Sequence, residues 1–154
     1  MRGKFILYFG ITLVALFFNF SYVNASRHSS AEEMNYALNQ SVNSLRKTDD
    51  YASVLTRADY NFFIGKKKIC YEEFDFIRTI RSSGNIGGQE AATCLASAYL
   101  ILMLRKQFFD SIESYVQAFQ SGDESGKRYY EGQYREFYSQ AEKWRTQFRQ
   151  NYGY

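Results

Sequence analysis

The sequence contains no proline and only one histidine, His28, among its 154 residues. Proline interrupts helices, so its absence favours long, continuous ones. A single histidine excludes a histidine-clustered metal site and leaves a Ser-His-Asp triad without a well-placed base. The alternation of apolar and polar residues that marks a strand is also missing over any useful length. These absences predict an all-α protein with no metal site, no cofactor and no catalytic residues.

The acidic residues do not form an obvious catalytic pair either. Glu72, Glu73 and Asp75 are near neighbours in one helical stretch. A glycosidase needs two carboxylates that face each other across a cleft, whereas adjacent residues on a helix point in different directions. We expect these three acids on the helix surface, and we expect a binding protein rather than an enzyme.

Residues 1–25 have the three parts of a secretory signal peptide. Two basic residues precede a 14-residue apolar run, and residues 23–25 supply small side chains before a cleavage site. A retained membrane anchor is the alternative, but it needs roughly 20 apolar residues. We predict cleavage before Ser26, which leaves an exported, periplasmic or secreted protein with one domain over 26–154 and no stable membrane anchor.

Removal of this segment makes the chain almost neutral. The whole sequence has 19 basic and 16 acidic residues, and the first 25 residues contain two of the basic ones and no acid. The remaining 17 basic residues are nearly balanced by 16 acids. The run Lys66-Lys67-Lys68 is too short for a phosphate-binding track and is typical of a solvated helix face. The composition therefore argues against a nucleic-acid partner.

Cys70 and Cys94 are the only cysteines. In an oxidising compartment a single pair is expected to form a disulfide. This bridge closes a loop of roughly 25 residues, which is worth about 3 kcal/mol in the chain-entropy model. The alternative is two free thiols acting as nucleophile or metal ligand, but the chain has neither a CxxC spacing nor a histidine nearby.

Apolar periodicity and two glycine-marked turns divide the mature chain into about four helices. Ser30 and Glu33 form a capping-box pattern at the start of the first helix. A second periodic stretch extends from Leu55 to Ile80. Three glycines make residues 82–88 a loop, and two more mark a turn at residues 122–126. The prediction is a small bundle with one disulfide and a long C-terminal helical hairpin.

The last predicted helix, over residues 123–151, carries a stripe of aromatic residues. Of the 29 aromatic residues, 22 lie after residue 25. The stripe is spaced like a heptad seam, which allows two interpretations. It either packs on the preceding helix as core or contributes an interface, for which the candidates are Tyr130, Tyr134 and Trp144.

Several short motifs resemble the LprI-like domain, a family of small exported bacterial helical proteins associated with lysozyme inhibition. The resemblance covers roughly residues 31–108. An opening motif is followed by a helix with an aromatic residue eight positions before a cysteine, then a Gly-Gly loop, a Cys-Leu pair and an arginine. The matching residues are Glu33-Met34-Asn35, Ala58, Phe62, Lys66, Cys70, Gly87-Gly88, Cys94-Leu95 and Arg105.

The resemblance implies an exported protein that binds and blocks a lysozyme or a related peptidoglycan-degrading enzyme. The small, polar loop after the second helix is the candidate for entering the enzyme's cleft, with its ends held together by the predicted disulfide. An ordinary interhelical turn is the other interpretation of this loop. The candidate inhibitory residues are Ser82, Ser83, Gly84, Asn85, Gly87 and Gly88.

Two further hypotheses fit the same sequence. Export, small size and a disulfide also suit a periplasmic immunity protein against a delivered toxin. The aromatic last helix also suits a non-catalytic, envelope-associated structural protein. The expected partner of a lysozyme inhibitor or of an immunity protein is another protein. The oligomeric state is open in all three hypotheses.

Overall fold

A computed structural model describes residues 27–154, so the predicted signal peptide lies outside the described residues. This part of the chain contains four α-helices and one short 3-10 helix, and it contains no β-strand. The prediction of an all-α fold with about four helices is confirmed. The elements are α1 (Ala31–Lys47), the 3-10 helix (Tyr51–Leu55), α2 (Tyr60–Ser82), α3 (Gln89–Ser121) and α4 (Glu124–Tyr152).

Short polar residues begin three of the helices. The capping box of α1 is present, because the Ser30 hydroxyl accepts from the amide of Glu33 and the Glu33 carboxylate accepts from the amide of Ser30. The carboxylates of Asp59 and Asp123 likewise accept backbone amides at the starts of α2 and α4. Helix α3 ends at Gly122, whose φ of +75° favours glycine and allows the immediate reversal into α4.

The periodic stretch from Leu55 to Ile80 is not one continuous helix. Its first residues belong to the 3-10 helix, and residues 56–59 separate this element from α2. Asp59 explains the break, because its side chain caps α2 from an extended backbone conformation. Leu55 is consequently half-exposed, although the apolar spacing had placed it on a core face.

Helix α3 is the centre of the bundle and packs against the three other helices. Its 33 residues span about 50 Å, and α4 follows it closely as the second arm of a hairpin. The core has two connected parts. One surrounds Leu95 and Ile101 and draws on all four helices, and the other surrounds Phe108 and Phe109 between the 3-10 helix, α2, α3 and α4.

A fully buried arginine connects α3 to the end of α1. Arg105 donates hydrogen bonds to the carbonyl of Leu45 at 2.9 Å, to the hydroxyl of Thr48 and to the carboxylate of Asp49 at 2.9 Å. Its guanidinium also lies 4.9 Å from the centre of the Tyr51 ring. The buried charge is thus paired and hydrogen-bonded on several sides, as a buried cation requires.

Asp49 extends this network to the C-terminal segment. Its second carboxylate oxygen accepts hydrogen bonds from Arg145 at 2.9 Å and from the Tyr154 hydroxyl at 2.8 Å. Burial acts to raise the pKa of Asp49, but hydrogen bonds from Tyr154, Arg105 and Arg145 outweigh it and hold the pKa below its ordinary value. Asp49 therefore stabilises the packing of α4 against the end of α1.

Glu73 departs from the expectation that the acids of α2 lie on the surface. Its side chain is buried, and it accepts 2.7 Å hydrogen bonds from the Ser44 hydroxyl and the Lys47 ammonium group of α1. Glu72 and Asp75 are exposed as predicted. The difference arises because α1 crosses one face of α2, and only Glu73 lies on that face.

The predicted disulfide between Cys70 and Cys94 is wrong: both thiols are free and buried. The Cys70 sulfur lies 4.0 Å from the carbonyl oxygen of Leu102, whereas the Cys94 sulfur lies 3.8 Å from the hydroxyl of Ser41. Cys94 and Leu102 are two turns apart on α3, or about 12 Å. A disulfide needs Cα atoms within about 7 Å, so Cys70, which lies beside Leu102, is too far from Cys94 to bond to it.

Candidate functional site

A groove of about 420 Å³ lies beside the glycine-rich loop. The first turns of α1 form one wall, the last turn of α2 forms the other, and the loop closes one end. This volume is within the range of small-ligand pockets. The lining residues are Glu32, Glu33, Tyr36, Thr79, Ile80, Ser83, Asn85 and Ile86.

The loop between α2 and α3 turns sharply and then returns to the core. Gly84 has a φ of +70°, which a side chain would strain. Ile86 is partly buried and packs against the core, so the loop is held down at its middle. Asn85 is exposed between these two residues and also lines the groove. The loop therefore presents Asn85 from a restrained backbone.

The three polar side chains of the loop differ in their freedom to bind a partner. The Ser82 hydroxyl donates to the carbonyl of Thr79 at 3.1 Å, and the Ser83 hydroxyl donates to the carbonyl of Ile80 at 2.8 Å. Within residues 27–154 the side chain of Asn85 makes no hydrogen bond. Asn85 is consequently the side chain of this loop that has free donors.

Residues 27–30, which we call the N-terminal strap, fasten the loop to α1. The Arg27 guanidinium forms a bidentate pair with the Glu33 carboxylate, at 2.8 and 2.9 Å. Glu33 also accepts from the amide of Gly87 at 3.2 Å. The hydrogen bond from Arg27, together with those from the amides of Ser30 and Gly87, lowers the pKa of Glu33 to about 2. One carboxylate thus joins strap, helix and loop.

The strap also covers the start of α3. The amide of Gln89 donates to the carbonyl of Arg27 at 2.9 Å, and the amide of Ala91 donates to the Ser29 hydroxyl at 2.8 Å. These bonds satisfy amides that the first turn of a helix leaves without partners. The strap therefore acts as an N-terminal cap supplied from another part of the chain.

Glu90 gives the strap a second charged contact. Its carboxylate lies 2.7 Å from Nδ1 of His28 and accepts from the amide of Ser29 at 2.8 Å. The His28 contact and the Ser29 hydrogen bond lower the pKa of Glu90 to about 2. In return, the hydrogen bond to Glu90 raises the pKa of His28. This pair is exposed, so solvent screens its attraction.

The strap explains why two adjacent loop residues, Gly87 and Gly88, are both glycines. A Cβ atom at Gly88 would lie closer than 3.0 Å to Cα, Cβ and Oγ of Ser29. A Cβ atom at Gly87 would approach the Arg27 guanidinium at 3.4 Å. The Gly-Gly pair therefore permits the close approach of the strap, and this contact, rather than a disulfide, restrains the α3 end of the loop.

The groove lining is negatively charged. It contains two carboxylates and no cationic side chain. Glu33 is neutralised by Arg27, whereas Glu32 has neither an ion pair nor a hydrogen bond from its side chain among the residues that the structure describes. Tyr36 lies one turn after Glu32 and leaves 45% of its surface exposed. A carboxylate and an aromatic ring are thus both available to a ligand.

Two further kinds of site are absent from residues 27–154. Between residues 27 and 154 no group of three or more histidine, cysteine or acidic side chains is placed to hold a metal ion. Within the same range no helix combines the length and the apolar character needed to cross a membrane. The arrangement is suited to hydrogen bonding and charge recognition by the loop and groove.

The three candidate interface aromatics lie away from the groove, on α4. Trp144 is partly buried and packs against both parts of the core, and Tyr134 packs against Phe108. Tyr130 is half-buried and contacts the ring of Tyr129, which is itself 54% exposed. The inward face of the stripe thus contributes to the core of the hairpin.

Comparisons of the chain with protein-family models, with curated proteins and with solved structures found no match.

The sequence predicted the loop but not the walls of the groove. Tyr36 lies outside the apolar stripe of α1, and Ile86 is an isolated apolar residue in a polar loop. An aromatic residue off the core face and an apolar residue in a loop were the available signals. Neither indicates which helix the residue will face, because that depends on how α1 and α2 pack.

Proposed function

We propose that this protein is an exported binding protein that inhibits a lysozyme or a related peptidoglycan-degrading enzyme by occluding its cleft. Residues 1–25 support export, and the LprI-like motifs supply the class of target. The observation that carries the mechanism is the free amide of Asn85, presented by a loop that the strap and Glu33 restrain.

The chemistry of such a cleft suits this loop. A glycoside hydrolase has two carboxylates at its catalytic centre, and residues 82–88 contain no acid that these carboxylates would repel. The Asn85 amide can donate to a carboxylate, and such a charge-assisted bond is stronger than a neutral one. Because the loop is already restrained, binding costs less ordering entropy than binding by a free loop.

The test is a muramidase assay with the processed, exported protein and three variants. We expect Asn85→Ala to weaken inhibition about tenfold, because it removes a donor to a charged acceptor. Ser82→Ala is expected to change inhibition little, since its hydroxyl proton already belongs to the carbonyl of Thr79. Asn61→Ala is the matched control, because Asn61 is exposed at the opposite end of α2.

Two results would contradict the proposal. Failure of the wild-type protein to inhibit any muramidase at micromolar concentration would remove the proposed function. Equal inhibition by wild type and Asn85→Ala would remove the loop from the mechanism. Neutralisation of a toxin encoded by an adjacent gene, without effect on muramidases, would instead support the immunity hypothesis.

A further inference from the structure

The groove next to the loop of residues 82–88 has a lining that combines apolar and aromatic surface with one carboxylate that has no ion pair within residues 27–154. Glu32 is the carboxylate, and Tyr36 follows it by four residues, so both project from the same face of α1. Ile80 and Ile86 supply the apolar part of the lining. Such a lining complements a side chain that carries a positive charge at the end of an apolar stem.

The nearby cations are occupied by other contacts. Arg27 forms its bidentate pair with Glu33, and Arg78 lies 3.0 Å from Asp75. No cationic side chain lines the groove. A cation arriving from outside therefore meets the Glu32 carboxylate without having to displace an internal partner.

We propose that this groove binds an arginine side chain of the partner enzyme, and in naming that partner the proposal rests on the proposed function. The guanidinium pairs with the Glu32 carboxylate through two hydrogen bonds and lies on the exposed ring of Tyr36. The methylene groups of the arginine contact Ile80 and Ile86. Asn85 then binds within the enzyme's cleft while the groove binds an arginine at its rim.

Arginine fits this lining better than lysine does. A guanidinium is planar, so it can stack on a tyrosine ring and donate two parallel hydrogen bonds to one carboxylate. An ammonium group is a compact, strongly hydrated point charge that does neither as well. Cationic side chains are also expected around the cleft of an enzyme that acts on a negatively charged polymer, because opposite charge steers the two together.

The experiment titrates the isotope-labelled, processed protein with N-acetyl-arginine methylamide and follows amide resonances by NMR. The lysine analogue and the neutral, isosteric citrulline analogue are titrated in parallel. We expect the arginine probe to shift resonances of Glu32, Tyr36 and Ile86 and to bind about tenfold more tightly than citrulline. Lysine is expected to fall between them.

Two variants make the test specific. Glu32→Gln is expected to weaken binding of the arginine probe about tenfold and to weaken muramidase inhibition in parallel. Glu72→Gln is the matched control, because it removes an exposed acid of α2 outside the groove lining. Wild-type shifts for the remaining resonances will show that both variants are folded.

The outcomes separate this inference from the proposed function. Equal binding of the arginine and citrulline probes, or unchanged binding by Glu32→Gln, would overturn the arginine site even if muramidase inhibition is intact. Arginine binding at Glu32 in a protein that inhibits no muramidase would overturn the proposed function and the naming of the partner, but not the ligand chemistry of the groove.

Discussion

Substitution of Gly88 tests whether the strap holds the loop. The backbone of Gly88 is ordinary, with a φ of −89°, so alanine is excluded only by the contact with Ser29. Because part of this contact is with the Ser29 backbone, a change of rotamer cannot relieve it. We therefore expect Gly88→Ala to displace the strap from α3.

The expected cost follows from the hydrogen bonds that are lost. Displacement breaks the two bonds that cap α3, from the amide of Gln89 to Arg27 and from the amide of Ala91 to Ser29, whereas the exposed contacts of the strap with Glu90 are screened by solvent and add little. At about 1 kcal/mol each, the free energy of unfolding falls by about 2 kcal/mol. For a domain of this size that corresponds to a Tm lower by about 8 °C.

Urea unfolding followed by circular dichroism, with two control variants, measures this cost. Gly65 lies inside α2 with open space around it, so Gly65→Ala is expected to raise stability by about 0.5–1 kcal/mol. Gly88→Ser separates steric from capping effects, since serine is a better N-cap than glycine but has the same Cβ atom as alanine. A Gly88→Ser protein as stable as wild type would refute the steric argument.

Three further predictions concern the core and the pH dependence of the strap. Asp49→Asn should lower the free energy of unfolding by about 2 kcal/mol in urea titrations, because the buried Arg105 guanidinium loses its anion, whereas Arg145 keeps its ion pair with Glu142; unchanged stability would contradict the network. Cys70 and Cys94 should react with a thiol reagent only after denaturation, because burial raises the pKa of Cys70 to about 12 and that of Cys94 to about 11; mass spectrometry showing a disulfide would contradict this. The lowered pKa of Glu90 predicts that its contacts with His28 and Ser29 weaken as the pH falls from about 4.5 towards 2. The raised pKa of His28 predicts that the His28–Glu90 ion pair is also lost as the pH rises above about 6.5. The amide resonance of Ser29 reports both limbs, and a constant shift between pH 2 and 9 would contradict them.

The local signals in the sequence predicted the helices well. The capping box at Ser30, the three glycines of residues 82–88 and the turn at Gly122 are short-range features, and each marks a helix boundary in the structure. Such features act through hydrogen bonds and dihedral angles within a few residues, so the sequence alone contains the necessary information. The break before α2 was not predicted. The apolar spacing continues across residues 56–59, and it indicates a continuous helix more strongly than the single capping residue Asp59 indicates a helix start.

The sequence predicted only part of the candidate site, because some of its features are local and others depend on how the helices pack. The sequence predicted Asn85 and the glycines as loop residues, because clusters of Gly, Ser and Asn are typical of loops. The roles of Glu32 and Tyr36 depend on α2 lying beside α1, and no local pattern encodes that arrangement. The freedom of Asn85 and the occupied hydroxyl of Ser83 likewise became clear only from their hydrogen-bond partners.

By itself, the sequence determined the helical class, most helix ends and the position of a polar loop, because proline, glycine and capping residues act locally. Only the tertiary structure decided that Cys70 and Cys94 stay apart, that Glu73 is buried and that the strap, not a disulfide, holds the loop. Each of these results depends on which faces of two helices meet. Which faces meet depends on packing across the whole bundle, to which residues distant in the chain contribute together.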